Sequence, residues 1–223
     1  MLEVEGAGGV PEVLAVCLNP RAIVQVFVGM SYDKFLVQCS VGGFLDSVVT
    51  LTHLVGEIHD RGIVHNDVQP RNITFTGSVS QPVFHIIDLG LACRPGHIAG
   101  NCLFKCDISH DSANRSGDAD IHNNAAGNQK FRLCGVWMAP EVLKGRPVFF
   151  SGDVYSFGFL IANVASECIE FLKRHLREVE KLCIRRDPER RCSLTNVAQA
   201  IKGIRDQLGP EHLKVALDCR KHN

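Results

Sequence analysis

Apolar and polar positions along this chain fall into two periods. Residues 13–16, 23–28 and 35–38 alternate or run apolar with many β-branched side chains, which predicts three short strands. Leu51, Leu54, Val55 and Ile58 recur at helical spacing and Gly62 follows as a stop, so a helix is expected over 51–60. Residues 72–75 and 84–87 predict two further short strands. Residues 154–164 are almost wholly apolar and predict a buried helix. Between 167 and 183, apolar residues at 168, 169, 172, 176, 179, 182 and 183 share a helical face, carried by one helix or two short ones. Ser193 is placed to cap a last helix whose face is Leu194, Val197, Ile201, Ile204 and Leu208. There is no internal repeat.

Composition narrows this picture without deciding it. The chain has 223 residues, 45% of them hydrophobic, enough for one good-sized core. Lys plus Arg and Asp plus Glu are equal at 24 each, so charge points to neither nucleic acid nor an acidic membrane as a partner. No unbroken apolar run reaches 18 residues, and no membrane span is expected. The start, Met-Leu-Glu-Val-Glu, lacks the basic and apolar regions of a signal peptide, so a cytoplasmic location is expected. Most of the ten cysteines lie in apolar stretches, Cys17 and Cys183 among them, and read as buried free thiols. Cys102 and Cys106, with His97 and His110 near them, have no tight zinc-ligand spacing, and no metal is expected there. Asn72-Ile73-Thr74 and Asn114-Arg115-Ser116 match a glycosylation sequon by pattern only.

The chemistry is concentrated in His65-Asn66-Asp67-Val68-Gln69-Pro70-Arg71-Asn72, followed 16 residues after Asn72 by Asp88-Leu89-Gly90. An Asp and an Asn five apart, with a second Asp beyond an apolar run, form a phosphoryl-transfer constellation. One carboxylate can accept the proton of a substrate hydroxyl; the amide oxygen and the other carboxylate can hold Mg²⁺ against nucleotide phosphates. Trp137-Met138-Ala139-Pro140-Glu141 and Asp153-Val154-Tyr155-Ser156-Phe157-Gly158 follow in order. With these motifs the chain resembles the eukaryotic protein kinase superfamily, from about Gly9 to about Leu208.

The resemblance implies an α+β, protein-kinase-like fold, a mostly helical C-lobe with a remnant of the β N-lobe. Residues 1–223 would form a single partial kinase domain: 1–40 the N-lobe remnant and hinge, 41–208 the C-lobe, 209–223 a tail. The three N-terminal strands would be what remains of the N-lobe sheet. ATP and Mg²⁺ are the implied cofactors and a protein is the implied substrate. Asp67 would be the catalytic base, with Asn72 and Asp88 as metal ligands. Residues 36–43 resemble the last N-lobe strand and the hinge. Val37 would line the nucleotide pocket, with Gln38, Cys39 and Ser40 offering backbone groups to the adenine. Gln69, where many Ser/Thr kinases carry Lys, would contact a phosphate without charge assistance. His65 would pack under the loop. Asp153 would be structural, and Glu141 would pair with Arg191 of Asp187-Pro188-Glu189-Arg190-Arg191.

Departures from the family pattern shape the remaining expectations. Gly6-Ala7-Gly8-Gly9 fails G-x-G-x-x-G because Pro11 takes the third glycine position, and it reads instead as a turn after a helix. Residues 1–4 would end that helix, with Glu3 and Glu5 as solvated polar positions. Lys34, 33 residues before Asp67, is too near to be the ATP lysine. With a Gly-rich loop and that lysine absent, weak or no phosphotransfer is expected; a pseudokinase-like interaction module and a truncated product stay open. The helix before the catalytic loop is expected to be shortened at its start. Residues 107–129, polar and small, are expected to be a mobile loop. Asn66 stands where many kinases carry the arginine that receives an activation-loop phosphate. Arg71 and Trp137-Met138 look tyrosine-kinase-like and Pro70 looks Ser/Thr-like, with a slight lean to the tyrosine side.

Overall fold

The computed structural model describes residue 4 and residues 6–99, 136–165 and 170–217. Glu3, Glu5, the zinc candidates Cys102, Cys106 and His110, and the expected mobile loop at 107–129 lie outside these residues.

Two small sheets accompany a helical body. Strands β1 (Val13–Leu18) and β2 (Arg21–Gln25) form an antiparallel hairpin with Val16 opposite Ile23. Leu14, Val16, Leu18, Ile23 and Val24 are all exposed, and so is Cys17, which the sequence reading had buried. An apolar context buries a thiol only where another element covers the sheet face, and none of the described residues does so here. The chain then runs through 26–29 into β3 (Met30–Ser31), which joins β4 (Ile73–Ser78) and β5 (Gln81–Ile86) in a second antiparallel sheet ordered β3-β4-β5. Gly29 makes the entry possible. Its φ is +87°, and a Cβ there would penetrate the Phe75 carbonyl of β4.

The expected strand at 35–38 is instead part of a helix. Tyr32, Phe35 and Leu36 have the i, i+3, i+4 spacing of a helical face and all three are buried in α1 (Tyr32–Leu36). Asp33 in the first turn and Lys34 in the last complement the helix dipole. Phe35 meets Phe84 edge-on at 5.0 Å and Phe75 at 5.6 Å, which locks α1 onto β4 and β5.

The helix expected at 51–60 starts ten residues earlier. Ser40 caps α2 (Val41–Asp60), its Oγ accepting from the Gly43 N–H at 3.1 Å. The helix before the catalytic loop is therefore 20 residues long rather than shortened, because α1 has already used the preceding segment. By length and composition α2 could cross a membrane, but it serves as a core helix. Phe44, Leu45, Val48, Leu51, Val55 and Ile58 are wholly buried in the main core. Gly62 ends it at a φ of 71°.

The rest of the body is α3 (Pro140–Leu143), α4 (Ser151–Ala165), α5 (Glu170–Cys183), α6 (Leu194–Gln207) and α7 (Pro210–Leu213). Helix α4 packs on α5 and α6 on α2. Ser193 and Asn196 form a reciprocal cap at the start of α6, whose Val197 and Ile201 are wholly buried. After α7, residues 215–217 return to the start of α2: the Val41 N–H donates to the Val215 carbonyl at 2.8 Å and the Leu217 N–H to the Cys39 carbonyl at 3.0 Å.

Candidate active site

The loop between α2 and β4 is built on one carboxylate. Asp153 of α4 is wholly buried, and its oxygens accept the backbone N–H groups of His65 and Asn66, each at 2.8 Å. His59 Nε2 lies 2.8 Å from the same carboxylate. Burial pushes the Asp153 carboxyl up. The His59 hydrogen bond and charge, with the backbone N–H of His65, outweigh that and hold it below the ordinary carboxylate range. Asp153 thus shapes the loop that carries Asp67.

Asn66 takes a left-handed conformation, φ 66°, which an Asn tolerates better than most residues. Its Nδ2 donates to the Leu91 carbonyl at 3.0 Å and meets Cys93 Sγ at 3.4 Å, so the side chain pins the segment after Asp88. His65 is wholly buried. Its Nδ1 accepts the Asp67 N–H at 3.2 Å, so Nε2 carries the proton and donates to the Ile87 carbonyl at 3.1 Å.

The structure brings Asp67 and Asn72 into direct contact. Asn72 Nδ2 donates to Asp67 Oδ2 at 2.6 Å and to the Asp67 carbonyl at 2.9 Å. The ladder puts Asp88 beside them: Ile73 faces Ile86, the Ile87 N–H donates to the Asn72 carbonyl at 2.9 Å, and Asp88 follows. Asp88 is exposed, with φ 62°, and one carboxylate oxygen accepts the Gly90 N–H at 3.2 Å. Asn72 commits its amide N–H groups to Asp67, leaving Oδ1 as the acceptor. An amide oxygen and an exposed carboxylate are hard oxygen donors that suit Mg²⁺, which commonly takes one or two protein ligands plus phosphate and water. No group of three or more His, Cys, Asp or Glu side chains suited to a metal occurs among the described residues.

Two neighbours of Asp67 are less expected. Gln69 Nε2 donates to Asp67 Oδ1 at 2.9 Å, so this amide is turned toward the carboxylate. Trp137 Nε1 donates to the same oxygen at 2.7 Å. Trp137 is held in turn by Ser156 of α4, whose Oγ donates to the Trp137 carbonyl at 2.9 Å. Nothing in the local sequence announces this contact between residues 70 apart.

Below the cleft, Arg191 Nη1 and Nη2 meet Glu141 Oε1 and Oε2 at 2.5 and 2.8 Å. Both residues are buried. Arg191 also donates to the Arg185 and Ser151 carbonyls at 2.8 and 3.0 Å, and its guanidinium lies 5.0 Å from the Tyr155 ring centroid.

The adenine-facing group proposed from sequence is placed elsewhere. Val37 ends α1, Gln38 Nε2 donates to the Lys34 carbonyl, Cys39 is buried and Ser40 caps α2. The Cys39 carbonyl is bonded to residue 217, so this turn is part of the helical body and is not a hinge. The link from the hairpin sheet to that body is 26–29, just after β2, where Phe27 is 85% exposed. The strand expected at 35–38 is thus the end of α1 and the turn into α2.

The match to a protein-family model for the protein kinase domain covers residues 45–190. A serine/threonine-protein kinase, PknD of Chlamydia pneumoniae, is 32% identical over 140 residues, 63% of this chain and 14% of the relative. Eukaryotic translation initiation factor 2-alpha kinase 1 of Rattus norvegicus is 33% identical over 111 residues, 48% of this chain and 15% of the relative. The MAP kinase kinase kinase win1 of Schizosaccharomyces pombe is 28% identical over 123 residues, 53% of this chain and 8% of the relative. The chain therefore spans only a small part of the length of these relatives. The family match runs from inside α2 to the last residue before Arg191, through the Asp67–Asn72 contact and the Asp153 brace beneath it, and on that extent this chain belongs to the protein kinase domain family.

Proposed function

We propose that this chain acts in transfer of the ATP γ-phosphate to a serine or threonine hydroxyl of a protein. The observation that carries the reading is the Asp67–Asn72 contact at 2.6 Å, with Asp88 set beside it by the β4–β5 ladder. Asp67 is the base: its carboxylate orients the hydroxyl and takes its proton as the oxygen attacks phosphorus and the bond to ADP breaks. Asn72 Oδ1 and Asp88 are the metal-holding oxygens, and Mg²⁺ bound there supplies charge neutralisation to the phosphates. Residues 26–29 replace 37–40 as the backbone offered to the base of the nucleotide. The serine or threonine preference rests on the printed names of relatives such as PknD. Arg71 and Trp137 keep tyrosine in view as a test arm.

A second reading has its own observation. Both oxygens of Asp67 already accept side-chain hydrogen bonds, from Gln69 and Trp137 on one and Asn72 on the other. A carboxylate so engaged can leave the domain able to hold a nucleotide and unable to transfer phosphate. Radiolabelled ATP with mixed Ser, Thr and Tyr peptides separates the two. Transfer to Ser or Thr that is lost in Asp67→Asn supports the first reading, and transfer to Tyr alone overturns its substrate class. Saturable Mg²⁺-ATP binding without transfer supports the second.

A further inference from the structure

Two thiols lie together away from the cleft. Cys183 is the last residue of α5, wholly buried, with its Cβ against Gly158 of α4. Cys192 follows Arg191 and is only half-buried. Their sulfurs are 3.7 Å apart. The backbones are already joined one residue away, where the Cys192 N–H donates to the Leu182 carbonyl at 3.2 Å. A disulfide needs its sulfurs at about 2.05 Å, a closure of roughly 1.7 Å that side-chain rotation can supply when the backbones are so tied.

We propose that Cys183 and Cys192 are an oxidisable pair that a hydroperoxide converts to a disulfide. The two cysteines divide the work by position. Cys192 is the one a small oxidant reaches, and Cys183 is sealed behind it as the resolving thiol. The hydrogen bond from Cys183 brings the Cys192 thiol down to about 7, against the push of burial and with help from the Arg185 charge. The same contact, and burial, push Cys183 up. Near neutral pH a good fraction of Cys192 is therefore thiolate, the reactive form.

The Cys192 thiolate attacks a peroxide oxygen. An S–O bond forms, the O–O bond breaks, and the departing oxygen takes a proton to leave as water when the oxidant is hydrogen peroxide. Cys183 sulfur then attacks the Cys192 sulfenic acid. The S–S bond forms, the S–O bond breaks, and the Cys183 proton leaves with the hydroxyl as a second water. The two thiols are oxidised by two electrons and the peroxide is reduced to two waters. The bridge closes the loop 184–191, which carries Arg191 to Glu141.

The test uses the full chain and hydrogen peroxide. After stoichiometric oxidation, remaining thiols are alkylated and the protein is digested with trypsin without reductant. The expected product is the peptide 182–185 joined to the peptide 192–202, lighter by two hydrogens than the separate peptides and released by dithiothreitol. In Cys183→Ser, Cys192 should stop at the sulfenic acid and be trapped by dimedone. Exposed Cys17 is the internal reference for dose. Recovery of both peptides separately and alkylated, at a dose that oxidises Cys17, overturns the proposal, and so does a bridge from Cys192 to any other cysteine. The wild-type peptide map decides the matter even if the serine variant does not fold.

Discussion

The indole N–H of Trp137 donates to Asp67 Oδ1 at 2.7 Å, across 70 residues of sequence. That oxygen faces a second donor, Gln69 Nε2, at 2.9 Å. An incoming hydroxyl must share or displace one of them. A hydrogen bond to a charged group is worth about 1.5–3 kcal/mol. Trp137→Phe keeps an aromatic ring, smaller than the indole, and removes the donor. We expect turnover to rise, by up to about tenfold for each 1.4 kcal/mol released. A fall in kcat with KM unchanged would show that the indole positions the base instead of competing for it.

The Glu141–Arg191 pair sets the second expectation. Arg191 donates to Glu141, Arg185 and Ser151, so removing it strands a buried carboxylate. Arg191→Ala should cost about 3–5 kcal/mol in denaturant unfolding. Glu141→Ala should cost a similar amount, and the double variant should cost much less than the sum. Additive losses would mean that the two side chains do not stabilise each other.

Asp153 predicts a specific acid sensitivity. Its folded-state pKa lies below the ordinary value of 3.8. Its contribution to stability is therefore fully present above that value, and is lost as pH falls from there toward the folded pKa. Asp153→Asn should be destabilised at neutral pH by about 3 kcal/mol, since the amide cannot accept the His65 and Asn66 N–H groups as the carboxylate does. It should also show a shallower loss of stability than the parent as pH falls below the ordinary carboxylate value of 3.8. Parallel pH profiles for the two proteins would contradict this.

Asp88 should separate binding from folding. Its side chain is exposed, so Asp88→Asn should leave the melting midpoint unchanged within about 0.5 kcal/mol of stability. The upward shift of that midpoint by Mg²⁺-ATP should shrink or vanish. A variant that keeps the full shift would move the metal site elsewhere.

How much of this was readable in advance depended on the range of each interaction. The Asp67–Asn72 spacing and the strands that place Asp88 beside it are local, and both the residues and the elements could be read from them. The apolar faces of α4 and α6 were likewise visible as periodic patterns. Residues 35–38 were misread because the run was taken without Tyr32, whose position four before Leu36 reveals the helical face. Residues 36–43 resembled a strand and hinge, but the Ser40 cap and the close approach of Gly42 to Leu213 make 41–43 the first turn of α2. The exposed Cys17, the Trp137–Asp67 bond and the Cys183–Cys192 contact depend on what the fold covers or brings together, which no local pattern encodes.

Helix α4 sends three ties outward from adjacent turns. Asp153 holds the loop at 65–66, Ser156 holds Trp137, and the Ser151 carbonyl holds Arg191. A rotation of α4 by a single residue position, about 100°, would break all three at once. The catalytic loop, the segment entering α3 and the Arg191 loop should therefore open as one cooperative unit, with their slow amides exchanging together, and a disturbance at any one of them would be felt at the other two.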